Sequence, residues 1–194
     1  MGQDKASLRL SGRTFLAQIR TAASGAGFPV RTIRKDSVER CGPLGGILTA
    51  LNRSRARWLL LLACDMPLVT PEFLQLLTQE AIRRDRTVFC LEDDRAGFPC
   101  MIPRAMAEVI FAQHARGEYS LQALAKSLHA ARWRVPARWK SCLTNLNTPA
   151  ELAAFSVKMK TAGKLAPPGR PKRSDRITST PRRGVPSSRR GCSS

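Results

Sequence analysis

The sequence predicts an α/β domain, layered around a mostly parallel sheet. Three observations carry this. Short apolar runs alternate with helix-period segments, the pattern of βαβ units. One run, "RWLLLLACD" at 57–65, is apolar at successive positions rather than alternate ones, as a strand covered on both faces must be. Twice a threonine is followed directly by proline at the head of an apolar stripe, at Thr70-Pro71 and Thr148-Pro149, which marks a helix start.

Taken along the chain, "VRTI" at 30–33 reads as the end of a strand leading to Asp36, although Asp36 also fits a plain surface turn. "CGPLGGILTAL", Cys41 to Leu51, places three glycines immediately before an amphipathic helix, where backbone can approach a phosphate or a polar ring. Chain reversal alone would also account for them. The run at 57–65 is expected mid-sheet, and Phe73, Leu74, Leu77 and Ala81 give the following helix its apolar face. "TVFCL" and "PCMI" read as strands, and 104–115 and 120–131 as helices, the second with Leu121, Leu124 and Leu128 on one face. "LTNLNTPAELAAF" reads as a short strand, a turn and a capping box in which Thr148 and Glu151 stand three apart.

The chain has 194 residues, 43% of them hydrophobic, enough for one domain with a core. Residues 156–194 hold 11 Lys or Arg and one acid, net +10, and the other 155 residues hold 22 and 13, net +9. Over half of the excess therefore lies in a Pro-, Gly-, Ser- and Arg-rich end with little to bury. We expect a domain over 1–157 and a basic disordered tail over 158–194. The tail lacks the interleaved aromatics that stack bases, which argues against nucleic acid as a partner. No run of about eighteen apolar residues and no basic-then-apolar leader occurs, so no membrane is expected and the cytoplasm is the expected compartment. The six cysteines form no C-x-x-C pair and read as reduced, structural thiols.

Asp65 closes the apolar strand where ligands of open α/β sheets bind. A carboxylate there is costly to desolvate unless a cation meets it, and a divalent ion with substrate phosphates is the common solution. Capping of the turn before Pro67 is the plainer alternative.

Five segments, "MGQDKASLRLSGRTFLAQI", "KDSVERCGPLGGILTAL", "WLLLLACDMPLVTPEFLQLL", "FPCMIPRAM" and "NLNTPAEL", stand in the order found in nucleotidyltransferases acting on the molybdenum cofactor. Over most of residues 1–155 the chain resembles the molybdenum cofactor guanylyltransferases. The resemblance implies a Rossmann-like, three-layer nucleotidyltransferase fold that takes GTP and molybdopterin-bound molybdenum cofactor, with Mg2+, and releases pyrophosphate. Molybdoenzymes or cofactor-insertion proteins are the implied partners. Carried over by position, Lys5 is the phosphate-neutralising lysine and Asp65 the magnesium ligand. Asp36 is an acidic nucleotide contact; Gly42, Pro43, Leu44 and Gly45 form a loop beside the nucleotide; Asn145 and Asn147 lie toward the pterin.

Members of that family open with a strand and a loop of the kind LAGGxSxRMGxDK, and this chain begins at the methionine of that pattern. Between Ile19 and Val30 there are ten residues, "RTAASGAGFP", where the family carries a further strand. The resemblance thus implies a sheet with its first strand missing and weak binding of GTP and magnesium by these 194 residues. Other readings are a CTP-using transferase on the same cofactor or a related nucleotidyltransferase, and an inactive, degenerate relative.

Overall fold

Side-chain alternation along four strands divides the apolar residues between two faces. The computed structural model describes residues 8–10, 12–38, 40–146, 148 and 151–155. A hairpin of β1 (Arg9–Leu10) and β2 (Arg13–Thr14) leads into α1 (Phe15–Gly25), then α2 (Gly42–Arg53), β3 (Trp58–Leu61) and α3 (Pro71–Arg84). β4 (Val88–Glu92), β5 (Arg95–Pro103), α4 (Ala107–Ala115), α5 (Leu121–Ser127) and β6 (Ala131–Trp133) follow, with 3-10 segments at Arg104–Met106 and Ala137–Leu143.

The sheet has the order β3-β5-β4-β6. β5 runs antiparallel to both neighbours and β6 parallel to β4, so β3, β4 and β6 share one direction and β5 alone is reversed. The reversal is made by the two-residue turn Asp93-Asp94, with φ of 45° and 61°. Positive φ at both central residues is the turn whose twist suits a hairpin, and aspartate tolerates it better than most residues.

On one face Val88, Cys90 and Met101 meet Ile19 and Ala22 of α1, and Phe73, Leu74 and Leu77 of α3. On the other, Leu59, Phe89, Cys100 and Ile102 meet Leu44, Ile47, Leu48 and Leu51 of α2, with Ile110 of α4 and Leu124 of α5. The result is three layers, helix on sheet on helix. Burial pushes the Cys142 thiol up to about 11 and those of Cys90 and Cys100 higher, which keeps them protonated and structural.

Several expectations change. The strand at 58–61 lies at an edge of the described sheet, not in its middle. Its unbroken apolar run reports two covered faces, which an edge strand between helical layers has as well as a central one. "VRTI" forms no strand, although Phe28 and Val30 pack against the core beside Trp58 and Leu60. The glycines of "GPLGG" do not precede the helix; they are its first turns, because α2 begins at Gly42. The helix expected over 120–131 stops at Ser127, where His129 turns left-handed at φ 45° and the chain enters β6 to pair with β4. "LTN" makes no strand: Leu143 is the last residue of a 3-10 segment, and Thr144 and Asn145 follow it in irregular backbone. Thr148 caps as expected, its Oγ1 accepting from Glu151 N at 3.1 Å. Among the described residues no helix is long and apolar enough to cross a membrane. The tail over 158–194 lies outside the described residues.

Candidate active site

The β3 ladder ends at the pair Leu61 and Cys100, beyond which β5 presents Pro99, with no N–H to donate. The chain then turns at Cys64 and Asp65, which puts Asp65 past the carboxyl end of the strand. Its backbone carbonyl accepts from Leu146 N at 2.9 Å, tying the turn to the segment after the 3-10 helix. Its side-chain Oδ1 is buried with no hydrogen-bond partner among the described residues. A carboxylate that only capped a turn would spend its oxygens on neighbouring N–H groups. This one leaves a desolvated oxygen unmatched, a costly arrangement unless a ligand meets it.

Two further groups stand beside it. Glu92 ends β4, which runs in the same direction as β3 with β5 between them, and Asn145 precedes the Leu146 that bonds to Asp65. Asn145 Nδ2 donates to Glu92 Oε2 at 3.4 Å, and Asn145 Oδ1 is buried without a partner. Partial burial, then the charges of Asp93 and Asp65, push the Glu92 carboxyl above its ordinary value. Sequence reasoning missed Glu92. Its signal was there, a carboxylate closing "TVFCLE" as Asp65 closes the earlier run, and the hairpin turn that follows hid it.

Asp36 reaches the edge of the sheet by another route. Thr49, fully buried in α2, donates to the Gly45 carbonyl at 2.7 Å and accepts from Ser37 N at 2.8 Å, which pins the loop carrying Asp36 to the helix. A Cβ on Gly45 would stand 2.9 Å from Asp36 Oδ2 and 3.1 Å from the Val38 carbonyl, so only glycine admits the loop this closely. The Asp36 carboxylate therefore rests against the first turns of α2, the positive end of the helix dipole. Gly42 opens the helix at φ 51°, a left-handed entry that favours glycine. Residues 54–57 turn α2 back into β3, and α2 packs on that strand, so its first turn and Asp65 share one edge of the sheet. Thr49 is a second residue that the sequence reading passed over.

Asp65, Glu92 and Asn145 are thus brought together, and Asp36 packs against Gly45 in the helix that Gly42, Pro43 and Leu44 begin. Lys5 and Asn147 lie outside the described residues. The oxygens at Asp65 and Asn145, both buried and unpartnered, with the Glu92 carboxylate nearby, make an all-oxygen set of the kind a hard divalent cation takes. They fit magnesium. Among the described residues no three His, Cys, Asp or Glu side chains converge to hold a metal unaided, so substrate oxygens and water would have to complete a shell there.

A family model for the MobA-like NTP transferase domain matches residues 21–132, which include Asp36, "GPLGG", Asp65 and Glu92. The chain belongs to that family. Its relatives include the molybdenum cofactor guanylyltransferase of Pseudomonas syringae pv. tomato, 32% identical over 133 residues, covering 68% of this chain and 66% of that protein. The enzyme of the same name from Pseudomonas syringae pv. syringae is 34% identical over 140 residues, with coverage of 68% and 66%. The chain therefore spans just under two thirds of the length of these MobA-like relatives. Among solved structures, molybdopterin-guanine dinucleotide biosynthesis protein A from Archaeoglobus fulgidus matches with a TM-score of 0.64 at 17% identity, over 82% of this chain and 92% of that one. The 2-C-methyl-D-erythritol 4-phosphate cytidylyltransferase of Thermus thermophilus matches with a TM-score of 0.54 at 13% identity, over 80% and 94%. At these identities both show a shared fold: the α/β nucleotidyltransferase architecture expected from the sequence.

Proposed function

We propose that this chain transfers GMP from GTP to the molybdopterin-bound molybdenum cofactor, giving the guanine dinucleotide form and pyrophosphate. Membership of the MobA-like family and the names of its relatives support the reaction class. The observation that carries the site is the buried, unpartnered Asp65 Oδ1 at the carboxyl end of β3. Both Pseudomonas relatives bear the name guanylyltransferase, which favours GTP over CTP.

In the reaction a terminal phosphate oxygen of the cofactor attacks the α-phosphorus of GTP. A new P–O bond forms, the α–β bridge breaks, and pyrophosphate leaves with its electrons. Magnesium, when bound, neutralises charge on the phosphate oxygens. Asp65 is its ligand in this proposal, with Asn145 Oδ1 and Glu92 beside it, and Lys5 neutralises the departing phosphates. Asp36, held against α2 through the Ser37–Thr49 bond, contacts the nucleotide, and the "GPLGG" turns lie beside it. Asn145 and Asn147 are assigned to the pterin side by resemblance. The protein's part is then positioning and electrostatics rather than covalent chemistry. We place the reaction in the cytoplasm, with molybdoenzymes or cofactor-insertion proteins as recipients of the product.

The test is direct. The chain is incubated with GTP, magnesium and molybdenum-loaded molybdopterin, and pyrophosphate and the dinucleotide cofactor are quantified. Release that requires both GTP and the acceptor is expected. Release with CTP but not GTP, or none with either, would overturn the proposal.

A further inference from the structure

Between α5, the edge strand β6 and Arg86 ahead of β4 lies a cleft of about 660 Å³, lined by Arg86, Lys126, His129, Arg132 and Gln122 among others. It faces away from Asp65: Arg86 precedes β4, and none of the site residues described above borders it. Its cations stand apart from acids. Among the described residues the ion pairs are Glu80 with Arg83 and Arg84, Arg116 with Glu118, and Arg134 with Asp94, and none involves a residue of this cleft.

Two of the cations are held in place. The Arg86 guanidinium donates to the His129 carbonyl, which the left-handed turn at His129 presents. The Arg132 guanidinium donates to Gln122 Oε1 at 3.2 Å. Gln122 is itself clamped to one backbone residue, its Oε1 accepting from Ala96 N at 3.0 Å and its Nε2 donating to Ala96 O at 2.7 Å. Each guanidinium spends one of five N–H groups on its anchor and keeps the others.

Helix electrostatics accounts for part of this set. Lys126 and Arg86 sit at the carboxyl end of α5, where a cation is favoured. Arg132 does not fit that account. It meets Gln122 in the first turn of the same helix, the end where the dipole disfavours a cation. Held guanidinium forks suit phosphate oxygens, which they bind through paired hydrogen bonds. The cleft is roomier than one phosphate needs, and no Phe, Tyr or Trp ring lines it on which a base could stack.

We propose that this cleft is a second anion site that binds a compact oligophosphate. Inorganic tripolyphosphate is the probe, titrated by calorimetry into the full chain without magnesium, beside the Lys126→Gln/Arg132→Gln double variant and the Arg132→Lys variant. The double variant is expected to bind at least tenfold more weakly. Arg132→Lys, which keeps the charge and loses the fork, should fall between. Thermal unfolding confirms that all three proteins are folded, and since residues 156–194 are the same in each, the difference reports the cleft. Equal affinity of the double variant, or no binding by the unaltered chain, would overturn the site. Orthophosphate binding as tightly as tripolyphosphate would overturn the oligophosphate class. So would a single-stranded oligonucleotide that binds more tightly and loses as much affinity in the double variant.

Discussion

At Glu92 the pH dependence of stability gives a sign that can be checked. The folded carboxyl holds its proton above the ordinary value of 4.5, through partial burial and then the charges of Asp93 and Asp65. As pH rises past that value the unfolded chain loses the proton first, so stability falls across the window up to the raised folded value and stays lower above it. Glu92→Gln removes the titration and keeps an acceptor for Asn145 Nδ2. The variant should therefore melt slightly higher than the unaltered chain at pH 7, by about 1–2 °C, with the gain vanishing below about pH 4. A variant that melts lower at pH 7 would show that the carboxylate is stabilising instead. Asp65 was legible in the sequence because an apolar run closing on a carboxylate is conspicuous. Glu92 was not, since "LEDDR" reads as an acidic turn until the ladder shows Glu92 paired with Arg95 inside the hairpin.

The first turns of α2 offer two glycines with opposite expectations. A methyl group on Gly45 would collide with Asp36 and the Val38 carbonyl, whereas on Gly46 its nearest neighbour would be Asp36 Oδ1 at 3.8 Å, an ordinary contact. Gly46→Ala should stabilise the chain by about 0.5–1 kcal/mol, because alanine has less backbone freedom to lose in a helix. Gly45→Ala should destabilise it by about 1–3 kcal/mol and weaken nucleotide binding, by pushing the Asp36 loop off the helix. Chemical denaturation of both variants reads the difference, and two variants of the same sign would contradict the packing described. Helix starts such as Thr70-Pro71 were legible because capping chemistry is local: Thr70 Oγ1 accepts from Phe73 N at 3.3 Å. Where α5 ends and whether "VRTI" pairs depended on distant partners, β4 for the one and the β3 edge for the other, and no local signal encodes these.

Over the whole molecule, the layered α/β class and the shared direction of β3 and β4 followed from the order of apolar runs, whereas β6, three residues long and begun inside the helix expected over 120–131, was not legible. The reversed β5 did not, because its turn uses two aspartates where a glycine would have announced it. We propose that the folding unit ends near residue 157. Removing 158–194 should leave the melting temperature within about 2 °C, since that segment's composition brings little apolar surface to a core. A larger drop would show it docked on the domain. The central claim is that the edge of the sheet at Asp65 holds a metal–nucleotide complex. Calorimetric titration of GTP with manganese, a magnesium substitute, into the unaltered chain and into Asp65→Asn tests it most directly. The account predicts weak, measurable binding by the first, at least a tenfold loss in the second, and a ligand-free melting temperature for Asp65→Asn no lower than that of the unaltered chain, because the unmatched carboxylate is relieved. Equal affinities, or no binding by the unaltered chain, would contradict it.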